Sequence, residues 1–151
     1  MKPKVLIYIS NSQGELDWIL PIIIELSIKK HDVNIYFNTL DKNLIVKRSK
    51  IVNKLFKEFN ITTYTTQDFI KTKYFLHIVL FVFKLCGGKD LGLKFLSRLV
   101  NKCMNVFSRK FSKIIYSRIN PDLFFKDVGI DTNLRLELSK IVKLNNGKTI
   151  I

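Results

Sequence analysis

The chain has 151 residues, 47% of them hydrophobic and 25% charged, which is the size of one domain with enough apolar content to bury a core unaided by disulfides or metal. That composition excludes a disordered tail and a disulfide-stapled scaffold, and a net charge of +14 with a pI near 9.9 excludes an acidic surface. Lysine outnumbers arginine 21 to 5 and there are 20 isoleucines, as an AT-rich coding sequence yields by itself, so the placement of the charge says more than its sum. Residues 1–70 are net +3, residues 71–120 net +10 from 11 basic groups and one acidic, and residues 121–151 net +1. Charge concentrated in one segment suits a polyanionic surface as partner.

Val5-Leu6-Ile7-Tyr8-Ile9 is a continuous apolar run, the pattern of a strand buried on both faces in a parallel sheet. Asn11-Ser12-Gln13-Gly14 breaks it, and Ser12 with Glu15 three residues on matches a capping box. A helix is predicted over 15–30, with Leu16, Ile19, Leu20, Ile23, Ile24 and Leu26 inward and a kink or a late start at Pro21. Val33 to Phe37 reads as a second strand, completing a βαβ unit. Residues 47–59 read as a helix with Ile51, Leu55 and Phe59 at spacing four, and Ile61 to Tyr64 as a third strand. Thr66 is a cap for a helix that carries the Phe75–Phe83 apolar run and ends at Gly87-Gly88.

A long helix is predicted over 90–118. Leu96, Val100, Cys103, Phe107, Phe111 and Ile114 share one face at 100° per residue, and Lys94, Arg98, Lys102, Arg109 and Lys113 share the other. Leu123-Phe124-Phe125 is a fourth strand, Asp127 to Asn133 a loop, and residues 134–144 a helix with Leu134, Leu138, Ile141 and Val142 inward. Asn145-Asn146-Gly147 is a helix stop, and Lys148 to Ile151 begins a fifth strand.

Alternating strands and helices predict an α/β fold, a Rossmann-like parallel sheet of about five strands in the order 3-2-1-4-5 with helices on both faces. Residues 1–151 form a single domain. Ending on an apolar strand, the chain reads as the N-terminal half of a longer two-domain protein, or one completed by another chain. The uncharged run Tyr74 to Phe83 has ten residues and none is longer, against ~20 for a spanning helix. Lys2 and Lys4 precede only a short apolar stretch, which predicts no signal peptide. Cys86 and Cys103 have neither CxxC nor Cys/His spacing and read as buried free thiols of a reducing cytoplasm.

Ligands of doubly wound sheets bind beyond the carboxyl ends of the strands, so two loops carry the candidate chemistry. In the first, Ser12, Gln13 and Gly14 offer backbone amides at a helix N-terminus to an anion or a sugar hydroxyl, and Glu15 is a candidate base beside Asp17. The sequence there is neither GxGxxG nor a P-loop, and an ordinary capped helix start explains it equally well. In the second, Asp127 and Asp131 can act as a base or hydrogen-bond a polyol, while Asp131 and Asn133 can equally be plain caps. No metal-ligand cluster is evident, and no Ser/His/Asp or Cys/His set. His31 suits a helix C-terminus, His77 suits a packed apolar run, and Trp18 can stack on a sugar, packing being the plainer expectation.

The basic helix face admits a solvated surface or an anionic membrane. At about 1 kcal/mol per lysine near anionic head groups, Lys94, Arg98, Lys102, Arg109 and Lys113 would hold the chain peripherally on a membrane. A nucleic-acid surface is disfavoured, because exposed aromatics and a known docking motif are both lacking.

The stretch VLIYISNSQGELDWILPIIIELSIKKHDVNIYF resembles the opening βαβ of GT-B-type glycosyltransferases. More narrowly it is similar to bacterial surface-carbohydrate proteins near the CDP-glycerol glycerophosphotransferase and UDP-N-acetylglucosamine 2-epimerase-like groups. PDLFFKDVGIDTNLRLELSKIVKLNNGKTII resembles the later strand–loop–helix–strand part of the same N-terminal domain. Together the two stretches cover about 65 residues. The resemblance implies one half of a two-domain enzyme of surface polysaccharide biosynthesis, with the active site in the cleft between the halves. The N-terminal half would hold an acceptor, often lipid-linked, and the C-terminal half a nucleotide-activated donor. This chain would then carry no cofactor, would sit peripherally on the cytoplasmic face of the membrane and would be inactive alone. A stand-alone Rossmann-like membrane-docking or partner-binding subunit is the alternative, and an epimerase-like enzyme would need a nucleotide site that this half does not show.

Overall fold

The computed structural model describes residues 2–10, 13–39, 50–69, 94–126 and 132–150. In chain order these form β1 (Lys4–Ile9), α1 (Gln13–Ile28), β2 (Asp32–Phe37), α2 (Lys50–Glu58) and β3 (Thr62–Thr65), then a single turn α3 (Thr66–Phe69), α4 (Lys94–Ile119), β4 (Leu123–Lys126), α5 (Asn133–Leu144) and β5 (Lys148–Ile150). The predicted Phe75–Phe83 helix, its Gly87-Gly88 end, His77, Cys86 and residues 47–49 and 90–93 lie outside the described residues.

The five strands make one sheet, all parallel, in the order β3-β2-β1-β4-β5. This is the doubly wound, Rossmann-like α/β arrangement that the alternation of elements predicts. The central strand explains the continuous apolar run. Val5, Ile7 and Ile9 point to one layer with Leu16 and Ile23 of α1 and Val52 and Phe56 of α2. Leu6 and Tyr8 point to the other, with Phe111, Ile115 and Ile119 of α4 and Leu138 and Val142 of α5. Side chains alternate along a strand, so a strand covered on both faces has no polar position to spare.

Three helix ends share one stop. Lys30, Asn60 and Asn146 adopt positive φ of 61°, 53° and 63°, and the amide after each reaches back five residues, His31 to Leu26, Ile61 to Phe56 and Gly147 to Val142. These are Schellman turns, and they drop the chain straight into β2, β3 and β5. At the last of them the left-handed residue is Asn146, not Gly147, whose φ is not positive. Glycine is required there by proximity: a Cβ at position 147 would lie 2.5 Å from Val142 Cγ1 and 3.1 Å from the Asp122 carbonyl oxygen.

Several expected faces turn by a fraction of a helical turn. In α2 the buried stripe is Val52 and Phe56, and Ile51 is exposed. In α4 it is Ser108, Phe111, Ser112, Ile115 and Ile119, which leaves Ile114 half in solvent. Ser108 and Ser112 are buried within that face beside the expected Phe111, and Phe107 packs at its edge. Helix α1 runs through Pro21 from Gln13 without a late start. Pro21 is on the exposed side, where the carbonyl that loses its i+4 donor can face water.

Replacing Gly147 by Ala is expected to destabilise the fold by about 1–3 kcal/mol, the usual cost of forcing a methyl group into a packed site. Urea unfolding checks this, and a wild-type midpoint would contradict the close approach.

Candidate functional site

The sheet order reverses at β1. From β1 the chain goes to β2 on one side, and it later returns to β4 on the other. The carboxyl ends of β1 and β4 therefore flank the switch point, where ligands of open α/β sheets bind. On the β1 side the loop is held by Glu15. Its carboxylate accepts the Ser10 backbone N–H at 2.7 Å and also the Ser10 hydroxyl. This is the reach-back of a capping residue extended beyond the helix start, and it ties the end of β1 to the first turn of α1.

One rung of the sheet carries the other polar groups. Tyr64, Tyr36, Tyr8 and Lys126 are register partners across β3, β2, β1 and β4, so they share one face near the carboxyl ends. The Tyr8 and Tyr36 rings lie 5.6 Å apart. Tyr8 is fully buried, and its hydroxyl meets Thr132 Oγ1 at 3.0 Å. Thr132 is the N-cap of α5 and accepts the Arg135 backbone N–H at 3.3 Å. Tyr36 repeats the arrangement, its hydroxyl 2.8 Å from Oγ1 of Thr66, the first residue of α3. Each buried phenol thus ties the start of a helix to the sheet. Burial pushes both phenols above their ordinary value of 10.0. At Tyr8 the Thr132 hydrogen bond and the Arg135 charge pull the other way, and Glu15 adds a smaller upward push.

Arg135 is the residue that the sequence pattern did not single out. It is 1% exposed and its charge is felt at Tyr8, so a guanidinium stands beneath the first turn of α5 at the switch. A charge is costly to bury unless its hydrogen bonds are met, which makes the position notable in a small domain. The signal was present: Arg135, Leu138, Ser139 and Val142 form the buried stripe of α5, and an arginine at the head of such a stripe points inward.

Of the candidate residues, Glu15 stands at the end of β1 as described. Gln13 and Gly14 open α1, their side chains being outside the described part. Ser12, Asp127 and Asp131 lie outside the described residues. Trp18, expected to pack, is 87% exposed. On α4, Lys102, Arg109 and Lys113 are exposed, and the side chains of Lys94, Arg98 and Cys103 are outside the described part. Arg109 is partly engaged, its Nε 3.6 Å from Glu137 of α5, which also takes Lys140 at 2.9 Å. These pairs show that α4 and α5 form one outer surface, to which Lys140 and Lys143 add further charge. No group of three metal-ligating side chains occurs among the described residues, and none of their helices is long and apolar enough to cross a membrane.

By architecture and by the location of its polar cluster, the chain is a doubly wound, Rossmann-like α/β domain. No protein-family model, curated protein or solved structure matches it.

The buried phenols make stability fall at high pH. Both hold their protons more tightly in the folded chain than in the unfolded one, so above about pH 10 the unfolded chain ionises first and is favoured. The urea midpoint is expected to decline through that range. Tyr36→Phe should decline less steeply, and an unchanged slope would contradict the assignment.

Proposed function

We propose that this chain is the acceptor-side domain of a GT-B-like glycosyl- or glycerophosphotransferase of bacterial surface polysaccharide biosynthesis, peripheral on the cytoplasmic face of the membrane. The observation that carries this reading is the polar cluster at the β1/β4 switch: Ser10 and Glu15 at the start of α1, and Tyr8, Thr132 and Arg135 at the start of α5. The starts of α1 and α5 follow the two strands of the switch, and a buried cation stands in the first turn of α5, which suits a ligand combining hydroxyl groups with an anion, such as a polyol phosphate or a lipid-linked sugar phosphate. A nucleotide-activated donor would be held by a second domain or partner chain. In this reading Glu15, Asp127 or Asp131 serves as the base, and Ser12, Gln13, Gly14 and Asp127 line the acceptor site.

The test is a titration of the isotopically labelled chain, followed by amide NMR, with glycerol 3-phosphate and, separately, with a sugar nucleotide. Glycerol 3-phosphate should shift Ser10, Glu15 and the Thr132–Arg135 amides, and the sugar nucleotide should shift none of them. Shifts scattered over the surface, or no shift with either probe, would contradict the reading. Arg135→Met should weaken the glycerol phosphate response by about tenfold or more, the scale of a lost charge-assisted bond.

The alternative, a non-catalytic membrane-docking or partner-binding subunit, is favoured by the outer α4/α5 surface. Lys102, Arg109, Lys110, Lys113, Lys140 and Lys143 are exposed there against Glu137. Both readings place that surface on anionic lipid. Co-sedimentation with phosphatidylglycerol vesicles is expected at low salt and lost at high salt. A chain carrying Lys102→Glu, Lys110→Glu and Lys113→Glu should stay in the supernatant, and binding equal to wild type would remove the membrane role. Docking without any response to glycerol phosphate would favour the subunit reading.

A further inference from the structure

Helix α4 runs 26 residues without an acidic side chain, and α5 has one, Glu137. Arg109 and Lys140 both lean on that single carboxylate, whose side chain is 17% exposed. Lys102, Lys110, Lys113 and Lys143 are exposed and meet no carboxylate among the described residues. A surface meant only for water or for charge would be polar throughout, and this one is not. Val106 is 51% exposed and Leu144 82%.

The placing of these two side chains is specific. Lys102, Arg109, Lys110 and Lys113 stand at i−4, i+3, i+4 and i+7 from Val106, the positions that share its side of a helix. Lys140 stands at i−4 from Leu144. Ion pairs join the two helices between them, with Arg109 Nε 3.6 Å from Glu137 and Lys140 Nζ 2.9 Å from it. Val106, Arg109, Glu137, Lys140 and Leu144 therefore follow one another across a single outer surface.

That pattern selects a bilayer as the occupant. Cations around apolar side chains match an interface in which anionic phosphates lie outermost and acyl chains begin beneath them. Lysine stems bend along apolar surface while their ammonium groups stay with the phosphates, which leaves Val106 and Leu144 to face the acyl boundary. Nucleic acid offers phosphates with no apolar layer beneath, and among the described residues no exposed aromatic ring stands on this surface to stack on its bases.

We infer that the α4/α5 surface enters the interface of an anionic bilayer, with Val106 and Leu144 as the inserted side chains and both helices lying in the membrane plane. This rests on the membrane reading above and adds the mode of attachment. Charge brings the chain to the surface and apolar contact adds a share of the affinity that salt does not screen. Two side chains are too few to hold the chain without the lysines, so high salt still releases it.

The experiment is co-sedimentation of the full chain with phosphatidylglycerol vesicles over a salt series, wild type beside Val106→Ser/Leu144→Ser. The double variant keeps every charge and alters only exposed positions, so it folds as wild type does. It should bind about tenfold or more weakly at each salt concentration, with the dependence on salt unchanged. Insertion is read separately from tryptophan emission. Trp18 is the only tryptophan of the sequence, and α1 packs on the opposite layer. In Trp18→Phe/Leu144→Trp the emission should move to shorter wavelength on vesicles and be quenched by acyl-brominated phospholipid, whereas wild-type emission should do neither. Wild-type binding by the double variant, or Leu144→Trp emission unquenched on vesicles that carry the chain down, overturns the inference and leaves docking by charge alone. A wild-type chain that stays in the supernatant at low salt removes the membrane reading and the inference with it.

Discussion

The fold depends on one strand with no exposed side. The five residues from Val5 to Ile9 are at most 1% accessible; they pair with β2 and β4 laterally and with a helical layer above and below. At roughly 1.5–3 kcal/mol per buried large apolar side chain these five residues are a large share of the core, and a shift of one residue would exchange their two layers and take the Tyr8 hydroxyl away from Thr132. The parallel order follows, since strands joined by helices and packed on both faces can be arranged in few ways. Among Val5 to Ile9 the single polar side-chain group is the Tyr8 hydroxyl. It lies near the carboxyl end, where Thr132 can reach it.

That placement links packing to the site. The phenols of Tyr8 and Tyr36 are core residues by their rings and anchors by their hydroxyls, fixing Thr132 and Thr66 at the starts of α5 and α3. Asp68 secures the second of these starts by accepting the Thr65 backbone N–H at 2.8 Å. At the switch the start of α5 is therefore set by the same rung that closes the core, which is the preorganisation a binding site on this fold needs. Arg135 brings cationic charge to the same place. The proposed acceptor role uses this set, and in that proposal the basic α4/α5 surface would face the membrane.

Much of the architecture was legible in the residues. The apolar runs at 5–9 and 33–37, the turns between them and the alternation of strands with helices led to a five-stranded parallel sheet in the observed order. What could not be read was how each helix rotates on its layer. Phe111, expected inward, is buried and Phe107 packs at its edge, but Ile114 of the same expected face is half in solvent, and the packed side of α4 continues through Ser112, Ile115 and Ile119 instead. Trp18 was expected inside and lies outside, since Leu16 and Ile23 already fill the layer beneath α1. Arg135 was missed because the inward face of α5 was drawn through Leu134, Leu138, Ile141 and Val142, whereas the buried stripe runs through Arg135, Leu138, Ser139 and Val142. Glu15, read from the sequence as a capping-box residue and a candidate base, is seen to clamp Ser10.

The most direct test is hydrogen exchange of the full chain on anionic vesicles, with and without a short-chain polyprenyl phosphate sugar as acceptor. The account predicts that vesicles alone protect α4 and α5, and that adding the acceptor slows exchange at Ser10, the first turn of α1 and Thr132–Glu137. Acceptor-dependent protection confined to the α1/α2 layer, or none at the β1/β4 switch, would contradict it.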